Sequence, residues 1–301
     1  MSPRDTAAFL ALAALWGASF LFMRVAAPVF GPVPLMLLRC AIGALTLAPL
    51  LVLFGRPADL GAHLPRIALV GVLNSAAPFV LLGYATLALS AGVTSIMNSL
   101  APLWSAAVAF LWLGDRLTRW QALGLGLGVA GVVVLAGGGA GHDPAATGAA
   151  GAAPPFLAAL AATAFYGLAA NVARRTLAGV DPLALATGSQ LSATLALLVP
   201  GLALWPEGAA PGAADWGAVI ALGTLCTGLA YLLFFHLIGS VGATRTIAVT
   251  FAIPVFGVGW GAWLLGERVD GATLAGGAVV VLGTALATGV LAPRRRVRGR
   301  A

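Results

Sequence analysis

Charge is what this chain has least of. Only 8% of its 301 residues are Asp, Glu, Lys or Arg, against about 25% in an average soluble domain, and none is lysine. So little charge cannot clothe a globular surface in water, which excludes an ordinary soluble fold. Cysteine is equally scarce. Cys40 and Cys226 both fall in apolar runs, where a thiol behaves as a small hydrophobe, and two such residues make no disulfide framework. The histidines, His63, His142 and His236, are scattered, and there is no HExxH, no GxSxG and no paired acidic motif. These absences leave a membrane-embedded enzyme without machinery and imply no metal and no cofactor. No Asp or Glu sits in the middle of an apolar run. An exporter trading protons for organic cations is expected to hold a membrane-buried carboxylate, so that class is disfavoured. Proton coupling then has no evident carrier beyond His236, which reads more simply as an interfacial residue.

What is present is hydrophobic: 60% of residues, with a mean hydropathy of +1.01. Apolar stretches of about 20 residues, enough to span a ~30 Å hydrocarbon core, recur along the chain. Ten are predicted, at 7–27, 34–54, 66–88, 93–113, 118–137, 155–174, 182–204, 216–238, 243–265 and 270–291. The fold class expected is therefore an all-α integral membrane protein. The first stretch follows Arg4 and could be taken for a secretory signal, but it exceeds a typical signal core and has a counterpart later in the chain, so it is kept. A net charge of +7 would suggest nucleic acid in a soluble protein. Here the arginines sit in short connections and in the tail Arg294, Arg295, Arg296, Arg298 and Arg300, which is a topology signal.

One stretch occurs twice. Pro102-Leu103-Trp104 leads to Leu113-Gly114-Asp115-Arg116-Leu117, and Pro254-Val255-Phe256 leads to Leu265-Gly266-Glu267-Arg268-Val269, each residue 152 positions after its mate. Trp16-Gly17 and Arg24 match Tyr166-Gly167 and Arg174 at an offset of 150, as Gly92 and Thr94 match Gly242 and Thr244. This register puts the two extra residues between Thr244 and Pro254. Thr118 and Asp270 stand where N-caps would open the next helices, Thr118 with Gln121 as a capping box. The predicted organisation is a first five-helix repeat at 1–137, a periplasmic Gly/Ala/Pro-rich linker at 138–153, a second repeat at 154–293 and a basic cytoplasmic tail at 294–301. With the N-terminus inside, thirteen arginines fall on the cytoplasmic side and only Arg24, Arg39 and Arg268 toward the other. The positive-inside rule then places both termini in the cytoplasm, and five helices per repeat force the halves into opposite orientation. Inverted repeats recur in secondary transporters, where they exchange inward-open and outward-open shapes around one central site.

Leu15-Trp16-Gly17-Ala18-Ser19-Phe20, Arg39 in the second helix, Ala91-Gly92, Pro102 with Leu113-Gly114-Asp115-Arg116, and Pro254 with Leu265-Gly266-Glu267-Arg268 resemble, in order and spacing, the EamA-type members of the drug/metabolite transporter superfamily. The resemblance covers almost the whole chain. It implies a central cavity lined by helices 1, 3, 4, 6, 8 and 9, with helices 5 and 10 peripheral. It also implies export of amino acids, nucleosides and other metabolites or xenobiotics, commonly without ATP. Tyr166 stands where the first half has Trp16, and the second half has no full counterpart of the Trp-Gly-Ser-Phe motif, so symmetric roles for the two do not follow.

The polar and aromatic residues of those helices are the candidate substrate-binding set. They are Trp16, Ser19, Phe20, Asn74, Tyr84, Asn98, Trp104, Tyr166, Asn171, Thr227, Tyr231 and Thr250, with Ser95, Ser99, Thr163, Thr224 and Thr246 as lesser members. A buried amide either bonds a neighbouring helix or meets substrate and water, and an aromatic residue can equally anchor a helix at the interface. Pro78, Pro102 and Pro254 fall inside spans, where each removes a backbone hydrogen bond and kinks the helix, as a hinge or as static shape. Arg24 and Arg39 are read as snorkelling or gating residues rather than direct substrate ligands. The Asp115/Arg116 and Glu267/Arg268 pairs read as solvated turn charges. Gly124, Gly128 and Gly131 in the fifth helix, with Gly276 and Gly283 in the tenth, form small-residue faces suited to a homodimer or to internal packing. The function expected is a bacterial cytoplasmic-membrane carrier exporting small neutral or zwitterionic metabolites, such as amino acids with apolar or aromatic side chains. Its partners are that small-molecule substrate and the lipid bilayer, with no nucleic acid. Other metabolites or drugs, and a non-transporting scaffold, are the alternatives.

Overall fold

The computed structural model describes residues 1–143, 151 and 153–290. Half of the predicted linker and all of the basic tail lie outside them. The described residues form ten long helices: α1 (Pro3–Phe30), α2 (Pro32–Phe54), α3 (Leu64–Ala85), α4 (Ala91–Leu113), α5 (Arg119–Gly137), α6 (Ala153–Thr176), α7 (Pro182–Ala203), α8 (Ala213–Val241), α9 (Arg245–Leu265) and α10 (Gly271–Ala287). Nine are long and apolar enough to cross a membrane, α10 is shorter, and each coincides with a predicted span. A short helix, Pro57–Ala62, joins α2 to α3.

The doubled turn is explained by its glycine. Gly114 and Gly266 take φ of 72° and 66°, the left-handed conformation that ends a helix without a Cβ penalty. The following Asp115 and Glu267 amides donate back to the carbonyls of Ala109 and Gly261 at 3.2 and 3.1 Å. Four residues on, the next helices start as expected. Thr118 and Gln121 form a reciprocal capping box, and Asp270 accepts from the Thr273 amide at 2.7 Å.

Each half packs on the other rather than on itself. A Cβ on Gly17 would lie 2.7 Å from Phe256 Cβ, and one on Gly167 would lie 2.6 Å from the Trp104 carbonyl carbon, so α1 crosses α9 as α6 crosses α4. Likewise Gly71 of α3 rests on Ser189 of α7, as Gly223 of α8 rests on Ile42 and the Arg39 carbonyl of α2. The small-residue faces of α5 and α10 close on each other, Gly124 against Gly283 and Gly131 against Gly276. A homodimer through these faces would have to displace that contact.

These crossings correct the register. Arg39 pairs with Ser189 at an offset of 150, whereas Gly71 already pairs with Gly223 at 152, and the N-caps Ser90 and Gly242 also differ by 152. The two extra residues therefore enter before α8, not between Thr244 and Pro254, and Gly92 matches Thr244.

The prolines are accommodated rather than forced. Val72–Ala76 in α3 is a wide π turn, and Pro78 follows two residues on, inside the continuous helix Leu64–Ala85. α4 breaks at Ser99-Leu100 and restarts at Ala101, so that Pro102 is second in the new segment, where a missing N–H costs little. Pro254 sits in a helix interior, beyond a break at Ala248, as Pro28, Pro49 and Pro200 do in α1, α2 and α7. The reading of all three as kinks within continuous helices is thus corrected for Pro102. In α8 the matching π turn, Thr224–Leu229, is followed by Ala230 and needs no proline.

Candidate functional site

Between the two halves lies a cavity of about 810 Å³. Its wall takes Trp16, Ser19, Phe20 and Met23 from α1, Arg39 from α2 and Asn74, Phe79 and Leu82 from α3. It also takes Asn98, Pro102 and Ser105 from α4, Tyr166 and Asn171 from α6, Cys226, Thr227, Tyr231 and Phe234 from α8, and Thr250 and Ile253 from α9. The helices expected to line it do so. α2 joins them through Arg39, and α5 and α10 contribute only at the mouth, through Gln121 and Ala287.

Of the twelve leading candidates, ten come together on this wall, and Tyr84 and Trp104 do not. Tyr84 is exposed on the outside of α3, and Trp104 is wedged at the α4–α6 crossing against Gly167. The lesser candidates Ser95, Ser99, Thr163, Thr224 and Thr246 are also absent from the wall. Each returns its hydroxyl to a carbonyl of its own helix. Asn171 is both wall and glue: its amide nitrogen donates to the Ser105 carbonyl at 2.9 Å, to Ser105 Oγ at 3.2 Å and to the Gly167 carbonyl at 2.9 Å. Ser19 Oγ lies near the Cys226 thiol, but no group meets it at bonding distance and angle.

Arg39 departs most from expectation. It does not snorkel: it is only 5% exposed and faces the cavity. Nε donates to Thr227 Oγ1 at 3.4 Å, Nη1 approaches Met23 Sδ at 3.9 Å, and the guanidinium carbon stands 3.8 Å from the centre of the Phe79 ring. No acid among the described residues pairs with it. Tyr166 and Tyr231 lie within its field. Its mate Ser189 carries no charge, so the centre of the cavity is asymmetric.

The cavity has two unlike ends. At one, Asp115, Gln121, Arg174 and Val290 line an open mouth, and Asp115 pairs with Arg174 at 3.0 Å with both side chains more than half exposed. At the other, Glu267 accepts from the amides of Ala91 at 2.8 Å and Gly92 at 3.4 Å, sealing the start of α4. Arg24 there donates through Nη1 to the carbonyls of Thr86 and Leu87, both at 2.7 Å. The Ser90 amide donates to Gly141 and the Asp143 amide to Ala88, strapping the loop after α5 across this end. Glu267 is therefore not the solvated turn charge expected, and Asp115 pairs with Arg174 rather than Arg116. His236 is exposed, with Nε2 3.5 Å from Asp5 Oδ1.

The sequence profile of the EamA-like transporter family matches residues 6–137 and 154–289. The chain belongs to the EamA-like transporter family. Among relatives of this EamA-like transporter, a probable terminal-alkyne amino-acid exporter of Streptantibioticus cattleyicolor is 27% identical over 283 residues, 93% of this chain and 92% of the relative. An uncharacterized transporter of Archaeoglobus fulgidus is 24% identical over 271 residues, 89% and 92% of the two chains. An uncharacterized protein of Pseudomonas aeruginosa is 33% identical over 264 residues, 85% and 83%. A solved crystal structure superposes with a TM-score of 0.66 at 22% identity, covering 96% of this chain and 98% of that one, so the two share a fold.

Proposed function

We propose that this transporter is a secondary carrier that exports small neutral or zwitterionic metabolites, foremost amino acids with apolar or aromatic side chains, by alternating access. The observation that carries the reading is a central cavity built from both repeats, open at the Asp115 end and walled off from the Glu267 end, whose residues do not line it. Its wall pairs aromatic faces, Trp16, Phe20, Tyr166 and Phe234, with the amides and hydroxyls of Asn74, Asn98, Thr227 and Thr250, chemistry suited to an apolar side chain on a polar head. The relative named as an amino-acid exporter supports the same class. With both termini in the cytoplasm, as the arginine distribution directs, the open mouth faces inward, ready to load from the cell. In this reading 1–137 and 154–293 are the two moving repeats, the segment between them is periplasmic and the protein resides in the cytoplasmic membrane of a bacterium.

The test is counterflow of labelled neutral amino acids in liposomes, comparing the wild type with Trp16→Ala and Asn98→Ala. Saturable exchange weakened by both substitutions is expected. Folded protein that exchanges no amino acid would remove this substrate class and leave other metabolites, drugs or a silent scaffold.

A further inference from the structure

We infer that Arg39 is the anchor for a substrate carboxylate, so that the carrier selects molecules bearing an anionic head. The inference rests on the carrier reading above and names the feature its substrate must have. A guanidinium stays charged in any protein environment and offers five N–H donors in a planar fork. Burying such a charge costs several kcal/mol unless a partner offsets it. The groups on Arg39 are a hydroxyl at 3.4 Å, a thioether at 3.9 Å and the face of Phe79. They orient the fork and leave its charge uncancelled. A residue kept purely for packing would not need that charge, and one kept for helix association would carry an acid on the facing helix, where Thr227 stands instead. A carboxylate entering from the open mouth would take the unused donors as a bidentate pair, the geometry in which arginine is strongest. Ser19 Oγ, also on the wall, is a further donor without a bonded acceptor. Trp16, Phe20 and Phe234 would then receive the apolar part.

The probes are L-leucine, L-phenylalanine and L-propargylglycine, each against its primary amide, with binding to purified protein read from tryptophan fluorescence and exchange read from counterflow. The amides are expected to bind about tenfold or more weakly, the cost of leaving the guanidinium without its ionic partner. Arg39→Gln should erase the preference and Arg39→Lys should keep part of it. Acids and amides binding the wild type equally would overturn the anchor while leaving the carrier standing, and that comparison needs no variant to fold. Neither binding nor exchange of any acid would sink the amino-acid reading and the anchor together.

The structure also assigns, from separate contacts, a latch that exchanges between the two ends. Glu267 and Arg24 have as repeat mates Asp115 and Arg174, and the Ala91 and Gly92 amides have those of Ala243 and Thr244 at the start of the α9 segment. At the closed end the acid caps a helix and the arginine holds carbonyls; at the open end acid and arginine hold each other. Alternation then means that Asp115 docks on the amides after Gly242 and Arg174 on the carbonyls of Ile238 and Gly239, while Glu267 turns to Arg24. Gly242 brings no side chain to compete for those amides. With Cys40 and Cys226 replaced by alanine and Thr288→Cys as reporter at the open mouth, Glu267→Gln should slow thiol labelling from that side about fivefold, and Asp115→Asn should speed it. Shifts in the same direction, or none while exchange continues, would overturn the latch and leave the carrier intact.

Discussion

The turns after α4 and α9 share one sequence pattern and one backbone, yet their acids do different things. Glu267 is folded onto the start of α4, whereas Asp115 stands more than half exposed against Arg174. Both acids follow a left-handed glycine and both amides close the preceding helix, so local structure does not separate them. The difference lies in whether the facing helix is near enough to be capped, which is the difference between the ends of the cavity. In the proposed latch the duplicated motif supplies two equivalent contacts, and the conformation decides which is made.

The comparison is broken hardest at the crossings that relate the halves. Gly17→Val and Gly167→Val each drive a side chain into the backbone of the opposing helix. Each should cost about 3 kcal/mol, the upper range for overpacking, and monodisperse protein should fall steeply, whereas Gly126→Val, which meets open space, should change little. Size-exclusion yield and melting midpoint in detergent measure this. Unequal damage from the two crossings would mean that the halves do not share the load.

Next come the two acids. Glu267→Ala removes charge-assisted acceptance from two backbone amides and should cost about 1.5–3 kcal/mol, while Asp115→Ala loses an exposed pair worth at most about 1 kcal/mol. Equal losses in the melting midpoint would show that the closed end is not where the stability resides. The two wall amides give a smaller contrast. Asn171→Ala should cost about 1–2 kcal/mol, since its three hydrogen bonds tie α6 to α4 and to itself. Asn98→Ala, on the same wall, should weaken exchange with little change in stability.

Much of this fold was legible because it depends on neighbours in sequence. Apolar length set the ten spans, and glycine followed by an acid and, two residues past the arginine, a cap set the turns at Gly114 and Gly266. The cavity was legible in part. Trp16 and Tyr166 were recognisable as mates preceding the crossing glycines, but Tyr84 and Tyr231 are both tyrosines in cavity-lining helices, and only the packing of α3 and α8 turns one to the outside and one to the wall. Of the two readings of Arg39, snorkelling or gating, its burial removes the first, which was expected because snorkelling is the cheaper course for an arginine near a helix end. What holds Arg39 in place, Phe79 of the next long helix and Thr227 of α8, is brought to it by packing. The register shift escaped because glycine and threonine matches are frequent by chance, whereas Gly71 on Ser189 and Gly223 on Arg39 are equivalent contacts that only the fold brings together.

The smallest contrast is between the caps of α5 and α10. Thr118 and Asp270 occupy equivalent positions and accept from the equivalent amides of Gln121 and Thr273, but only the acid titrates. The Thr273 amide, its main partner, holds the Asp270 carboxyl below its ordinary value. A depressed carboxyl stabilises the fold above its unfolded value, and that contribution fades as the pH falls through the folded one. Either cap changed to alanine should cost about 1 kcal/mol near neutrality. On acidification the Asp270→Ala penalty should shrink while the Thr118→Ala penalty holds, read as the gap in melting midpoint to the wild type between pH 6 and pH 3. Penalties that stay parallel would mean that the charge of Asp270 adds nothing to its hydrogen bond, and that the two caps are interchangeable.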